Sequence, residues 1–141
     1  MSKFRFRFDR LIEVKEKLME HKQHELEDVV REANALAEEA RAIEKKISVH
    51  YDDMAARCIT GEEFSLLIGS LAYLNAKKAA VMEEKQSKDL RIDALRAELI
   101  ALVLELKVLE RLRVNALKAA MKVAARKEQK LMDDIGIRLK R

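Results

Sequence analysis

Apolar side chains recur at alternating spacings of three and four along two stretches of the chain, the pattern of α-helices that bury one narrow stripe against a partner. From Leu26 the stripe runs Leu26, Val29, Ala33, Leu36, Ala40, Ile43 and Ile47, then His50 and Met54, with Glu27, Asp28, Arg31, Glu38 and Arg41 on the other face. Upstream, Phe4, Phe8, Leu11, Val14 and Leu18 continue a similar stripe until His21-Lys22-Gln23-His24 interrupts it. The eleven residues from Leu18 to Val29 read as a stutter that locally unwinds a supercoil. The second stretch runs Phe64, Leu67, Leu71, Leu74, Lys78, Val81, Lys85 and Lys88. It becomes strictly aliphatic from Ile92 through Leu95, Leu99, Leu102, Leu106 and Leu109, and goes on to Arg113, Ala116, Ala120 and Val123.

Thr60-Gly61-Glu62-Glu63 separates the two stretches and reads as a capping box, in which the Thr60 hydroxyl and the Glu63 side chain satisfy each other's orphan backbone N–H groups. The pattern predicts helix one over about 4–56, a turn at 57–61 and helix two over 62–136, with fraying near Gly136. A short turn makes the helices antiparallel neighbours. The expected fold is all-α, a single domain over 1–141 built as a long antiparallel two-helix coiled coil, with the C-terminal helix overhanging. With the turn centred near residue 59, position i faces roughly 118 − i, which sets Met54 against Phe64, Ile47 against Leu71, Leu26 against Ile92, Leu18 near Leu99 and Leu11 near Leu106. Lys78 and Lys85 then lie over Ala40 and Ala33, and this middle stretch is expected to be the weakest. Phe64 is expected in the core, while Tyr51 and Tyr73 sit near the turn end. Gly69 costs about 1 kcal/mol inside a helix and reads as a point of close packing.

Helix two outruns helix one by roughly 30 Å or more. Past about residue 114 it carries Leu117, Met121, Val123, Leu131 and Ile135 beside Lys118, Lys122, Arg126, Lys127 and Lys130, an amphipathic basic helix with no partner in the chain. Residues 1–10 hold four basic and one acidic side chain, residues 115–141 eight and three, so the termini are basic and the middle mildly acidic. Brought together, the termini form a positive pole that steers association with an acidic surface.

Composition narrows the chemistry. The chain has 141 residues, 49% hydrophobic and 38% charged, with three Gly and no Pro, a balance that suits long helices and leaves little loop for a catalytic domain. Gly61, Gly69 and Gly136 are isolated, so no phosphate-binding loop is present. Carboxylates on solvated faces lack a concavity to shift their pKa values, and no enzymatic activity is expected. His21 and His24, beside Glu20 and Glu25, read as a polar patch, because no Cys or further His completes a tetrahedral metal site. Cys58, in the turn, reads as an ordinary free thiol. No cofactor is expected. The longest apolar run, Leu99 to Leu104, is far shorter than a membrane span, and the basic N-terminus is not followed by the apolar region of a signal peptide, so a cytoplasmic protein is expected. The basic side chains alternate with acidic ones and lack interleaved aromatics, which argues against nucleic acid as a partner. The 115–141 helix permits at most peripheral membrane association, opposed by Glu128, Asp133 and Asp134.

Two end segments carry a family resemblance. Phe4-Arg5-Phe6-Arg7-Phe8-Asp9-Arg10-Leu11-Ile12-Glu13-Val14-Lys15 resembles the N-terminal signature of the flagellar type III export protein FliJ family, and Arg126-Lys127-Glu128-Gln129-Lys130-Leu131-Met132-Asp133-Asp134 its C-terminal one. Asp134 stands where the family pattern has Glu. The resemblance implies a coiled coil similar to the central stalk of rotary ATPases. It would bind the hexameric export ATPase, promote ring assembly and hydrolysis, engage the export gate membrane protein and help recycle substrate-specific export chaperones at the cytoplasmic face of the inner membrane. On that footing Phe4, Phe6, Phe8, Arg126, Lys127, Lys130 and Leu131 are candidates for ATPase contact. Ile47, Tyr51, Phe64, Ile68 and Leu71, near the turn end, are candidates for the gate. The alternatives are a self-associating coiled-coil scaffold and the equivalent stalk of a virulence-type secretion system.

Overall fold

The computed structural model describes residues 4–56 and 60–140. They form two helices packed against each other as a helical hairpin, α1 (Asp9–Ala56) and α2 (Gly61–Lys140), and no strand occurs among the described residues. At the start of α2 the Glu63 N–H donates to Thr60 Oγ1 at 3.3 Å and the Phe64 N–H to the Thr60 carbonyl at 2.9 Å, one arm of the expected capping box. Glu62 and Glu63 add negative charge at the positive end of the helix dipole. Arg57, Cys58 and Ile59, the middle of the expected turn, lie outside the described residues. α2 does not fray at Gly136 but continues to Lys140, since one glycine costs only about 1 kcal/mol and no proline removes a hydrogen bond.

The chain divides into two compact units, Lys22–Glu98 and Met1–His21 with Leu99–Arg141. In the first, the buried positions are Ala33, Ala40 and Ile43 of α1 and Leu71, Leu74, Val81, Ile92 and Leu95 of α2, all on the expected seam. Ala40, Ile43, Leu74 and Val81 form a cluster flanked by Leu36 and Ile47. The seam lysines behave as long stems with wet ends: Lys78 reaches Glu44 at 3.4 Å, Lys88 reaches Glu32 at 2.8 Å and Lys85 turns along its own helix to Asp89 at 2.9 Å. The hydrogen bond and charge of Glu32 raise the Lys88 pKa, and Glu25, 2.5 Å from Arg91, does the same there. His50 Nδ1 lies 2.8 Å from the Lys46 carbonyl, which makes it the donor, and Nε2 accepts from Ser70 Oγ at 2.9 Å across the helix pair.

The register differs slightly from the expected one. Partner numbers add to 120 in Lys22–Glu98, Lys88–Glu32 and His50–Ser70, two more than the backbone midpoint implies. Side chains on an α-helix lean about one position toward their own N-terminus, so partner side chains on antiparallel helices meet at a sum about two higher than the facing backbone positions.

In the unit formed by 1–21 and 99–141, Ile12, Leu102 and Leu109 are buried, with Lys15, Met19, Leu99 and Leu106 half-buried between them. Leu11, Val14 and Leu18 are exposed, Val14 by 56%. The expected upstream stripe therefore fails at Leu11, Val14 and Leu18: after the half-buried Phe8, which precedes α1, the positions of α1 that face inward are Ile12, Lys15, Met19, Lys22, Leu26 and Val29, a three-four alternation with no stutter. Lys15 pairs with Glu105 as Lys22 does with Glu98, each stem lying in the seam while its ammonium meets a carboxylate at the edge.

Phe64 is 46% exposed and not in the core. Gly69 is not a point of close packing either, because a Cβ built there meets nothing within 4 Å.

Leu95, with 0% exposure, is the best-buried side chain. Leu95→Ala should cost about 2–4 kcal/mol in urea unfolding followed by circular dichroism. Gly69→Ala should raise stability in the same assay, by about 0.5–1 kcal/mol.

Candidate functional site

Phe4 to Phe8 precede α1. Their aromatic rings are half-buried and Arg5 and Arg7 exposed, and Arg7 and Phe8 form a turn that leads into the helix. Asp9 ends that segment. The Asp9 N–H donates to the Phe6 carbonyl at 3.2 Å, the Phe6 N–H donates to Asp9 Oδ2 at 3.3 Å, and Arg113 Nε donates to Asp9 Oδ1 at 3.0 Å. One carboxylate thus complements the positive end of α1, closes the preceding turn and holds the segment to α2. The Phe6 and Phe8 rings meet edge to face at 5.5 Å, and the Arg7 guanidinium lies 5.4 Å from the centre of Phe8.

Beyond Ala116 the cover ends, and every side chain from Leu117 to Ile135 is exposed. From Leu117 to Lys140 this is about 36 Å of helix. It presents Arg126, Lys127, Lys130 and Leu131 to solvent, with Leu117, Met121 and Ile135 on its apolar positions. The two halves of the candidate ATPase set do not form one patch, since Arg126 lies thirteen residues past Arg113, about 20 Å further along α2. What they share is sign: residues 1–21 with 99–141 carry 17 basic and 9 acidic side chains, whereas 22–98 carry 12 and 16.

At the turn end the second candidate set splits differently. Leu71 is buried and Ile47 packs against the core cluster, so both serve the fold. Tyr51, Phe64 and Ile68 are exposed. Leu66, 75% exposed, and Tyr73 lie seven residues apart on one face of α2 with Gly69 between them. Leu66 was not among the expected contacts. Its signal was its place off the seam, where a leucine has no structural reason to be.

His24 Nδ1 lies 3.8 Å from Glu27 Oε2, and among the described residues no group of three or more His, Cys, Asp or Glu side chains is placed to hold a metal. Among the same residues no helix is long and apolar enough to cross a membrane.

The family model for the flagellar FliJ protein matches residues 4–141, both end segments included. The chain belongs to the flagellar FliJ family. That membership makes it a component of the flagellar export apparatus. No curated protein and no solved structure matches the chain.

Asp9→Ala should release the aromatic segment from α2. Amide exchange should speed up at residues 4–12 while the global unfolding free energy falls by no more than about 1 kcal/mol, as an exposed ion pair allows.

Proposed function

We propose that this chain is a non-enzymatic, stalk-like coiled coil that binds the hexameric export ATPase through its unpaired end. In this reading it promotes ring assembly and ATP hydrolysis, and links the ATPase to the export gate and to substrate chaperones at the cytoplasmic face of the inner membrane. The observation that carries it is the uncovered basic end of α2, an amphipathic helix whose apolar positions have no partner in the chain. A ring with a central pore provides a wall on all sides for such a helix, which a flat surface does not. Phe4, Phe6 and Phe8, held by Asp9, would contact the pore entrance, and Arg126, Lys127, Lys130 and Leu131 a deeper level, since the two sets are separated along α2.

Of the gate candidates, Tyr51, Phe64 and Ile68 have the exposure a contact needs, joined by Leu66 and Tyr73. Membership in a flagellar family favours the flagellar machine over a virulence-type one. The self-associating scaffold draws on the same exposed stripe of α2, but its flanking Lys118, Lys122 and Lys127 would face their own kind across a dimer.

The test is the turnover of the purified export ATPase with the full chain and with a version ending at Val114. The full chain should stimulate hydrolysis and the shortened one should not. No stimulation by either, with an ATPase able to form its ring, would remove the stalk reading.

A further inference from the structure

With Ile12, Lys15 and Met19 turned toward α2, the two flanks of α1 in this unit differ in kind. Leu11, Val14 and Leu18 follow on one flank at a helical spacing of three and four, and Glu13, Glu16 and Glu20 occupy the other. On α2, Leu104, Val108 and Leu112 are exposed on the side that meets the leucine flank. Leu11, Lys15, Leu104, Glu105, Val108 and Leu109 line one open groove there, about 370 Å³ in volume. A second hollow of about 350 Å³ continues it over Leu104, Val108 and Leu112 to Arg111 and Asn115.

The charges around this groove are one-sided. Its single carboxylate, Glu105, is paired with Lys15. Lys107 and Arg111 line the hollow that continues it on α2. These two cations take part in none of the ion pairs seen among the described residues.

We propose that this groove is a docking site for an amphipathic helix of a partner protein, one with an apolar stripe bordered by Asp and Glu. Leu11, Leu104 and Val108 would receive the stripe, and Lys107 and Arg111 would meet the acidic border. The charge pattern selects the occupant. The uncovered end of α2 from a second copy of the chain is bordered by Lys118 and Lys122 and would bring like charge to the same rim. The groove starts just past the Phe4–Phe8 segment proposed for the pore entrance and lies apart from the uncovered end of α2, and its test with isolated peptides does not depend on that reading.

The test uses the full chain and two labelled helical peptides of about 20 residues with the same leucine stripe, one bordered by Glu and one by Lys. Fluorescence anisotropy should show the Glu peptide binding at least about tenfold tighter than the Lys peptide, with the advantage shrinking as salt screens the rim. Leu104→Gln with Val108→Gln should abolish binding while helicity by circular dichroism is unchanged, because both side chains are already in water. Lys107→Gln with Arg111→Gln should narrow the difference between the peptides. Equal affinity for both, or no binding at roughly 100 µM peptide, would overturn the proposal. So would a dimer in light scattering that the Leu104 and Val108 substitutions dissociate, since a second copy would then cover the face.

Discussion

The ion pair between Asp9 and Arg113 stands where α1 stops covering α2. Two helices of unequal length, 48 and 80 residues, meet along a seam one side chain wide, so the shorter one decides how much of the longer is buried. Everything in α2 past Ala116 is helical because its own backbone hydrogen bonds and helix-forming side chains allow it, without a tertiary partner to hold it. That inequality leaves a basic amphipathic surface of α2 without a cover among the described residues. Asp9 also orders the aromatic segment in front of α1, which puts backbone capping, ion pairing and aromatic presentation on one carboxylate.

A two-helix seam has little depth, and the chain compensates at its edges. Lys15, Lys22, Lys78 and Lys88 stand in seam positions and each sends its ammonium to a carboxylate on the other helix. Such exposed pairs contribute little stability singly, and their stems exclude water from the seam while their ends fix the register. Lysine in the seam also frees leucine for elsewhere. In the unit made of 1–21 and 99–141, Leu11 lies off the seam and lines an open groove with Leu104 and Val108.

The hairpin, the Thr60 cap of α2 and the α2 seam from Leu67 to Ala116 were legible in the sequence, because three-four spacing and a Thr-x-x-Glu signal express the physics of helix pairing and capping directly. The N-terminal seam was misread by following aliphatic side chains. Leu11, Val14 and Leu18 resemble a stripe, yet the period that continues Leu26 and Val29 backwards passes through Lys22, Met19, Lys15 and Ile12. Periodicity outweighed hydrophobicity there. Phe4 to Phe8 carried their own warning in the strict alternation of Phe and Arg, which does not suit a helical stripe, and α1 begins only at Asp9. Gly69 misled because a glycine in a helix suggests a close neighbour, and space around a backbone cannot be read from sequence. Of the candidate sites, exposure separated Tyr51, Phe64 and Ile68 from Ile47 and Leu71, a distinction that depends on where each residue falls relative to the seam.

The most direct test of the central claim is amide hydrogen exchange across the whole chain, alone and with the assembled ring of the export ATPase. The account predicts strong slowing at residues 117–140 and at the aromatic segment before α1, with residues 61–98 unchanged. Protection confined to the turn end, with the end of α2 exchanging as freely as before, would contradict it.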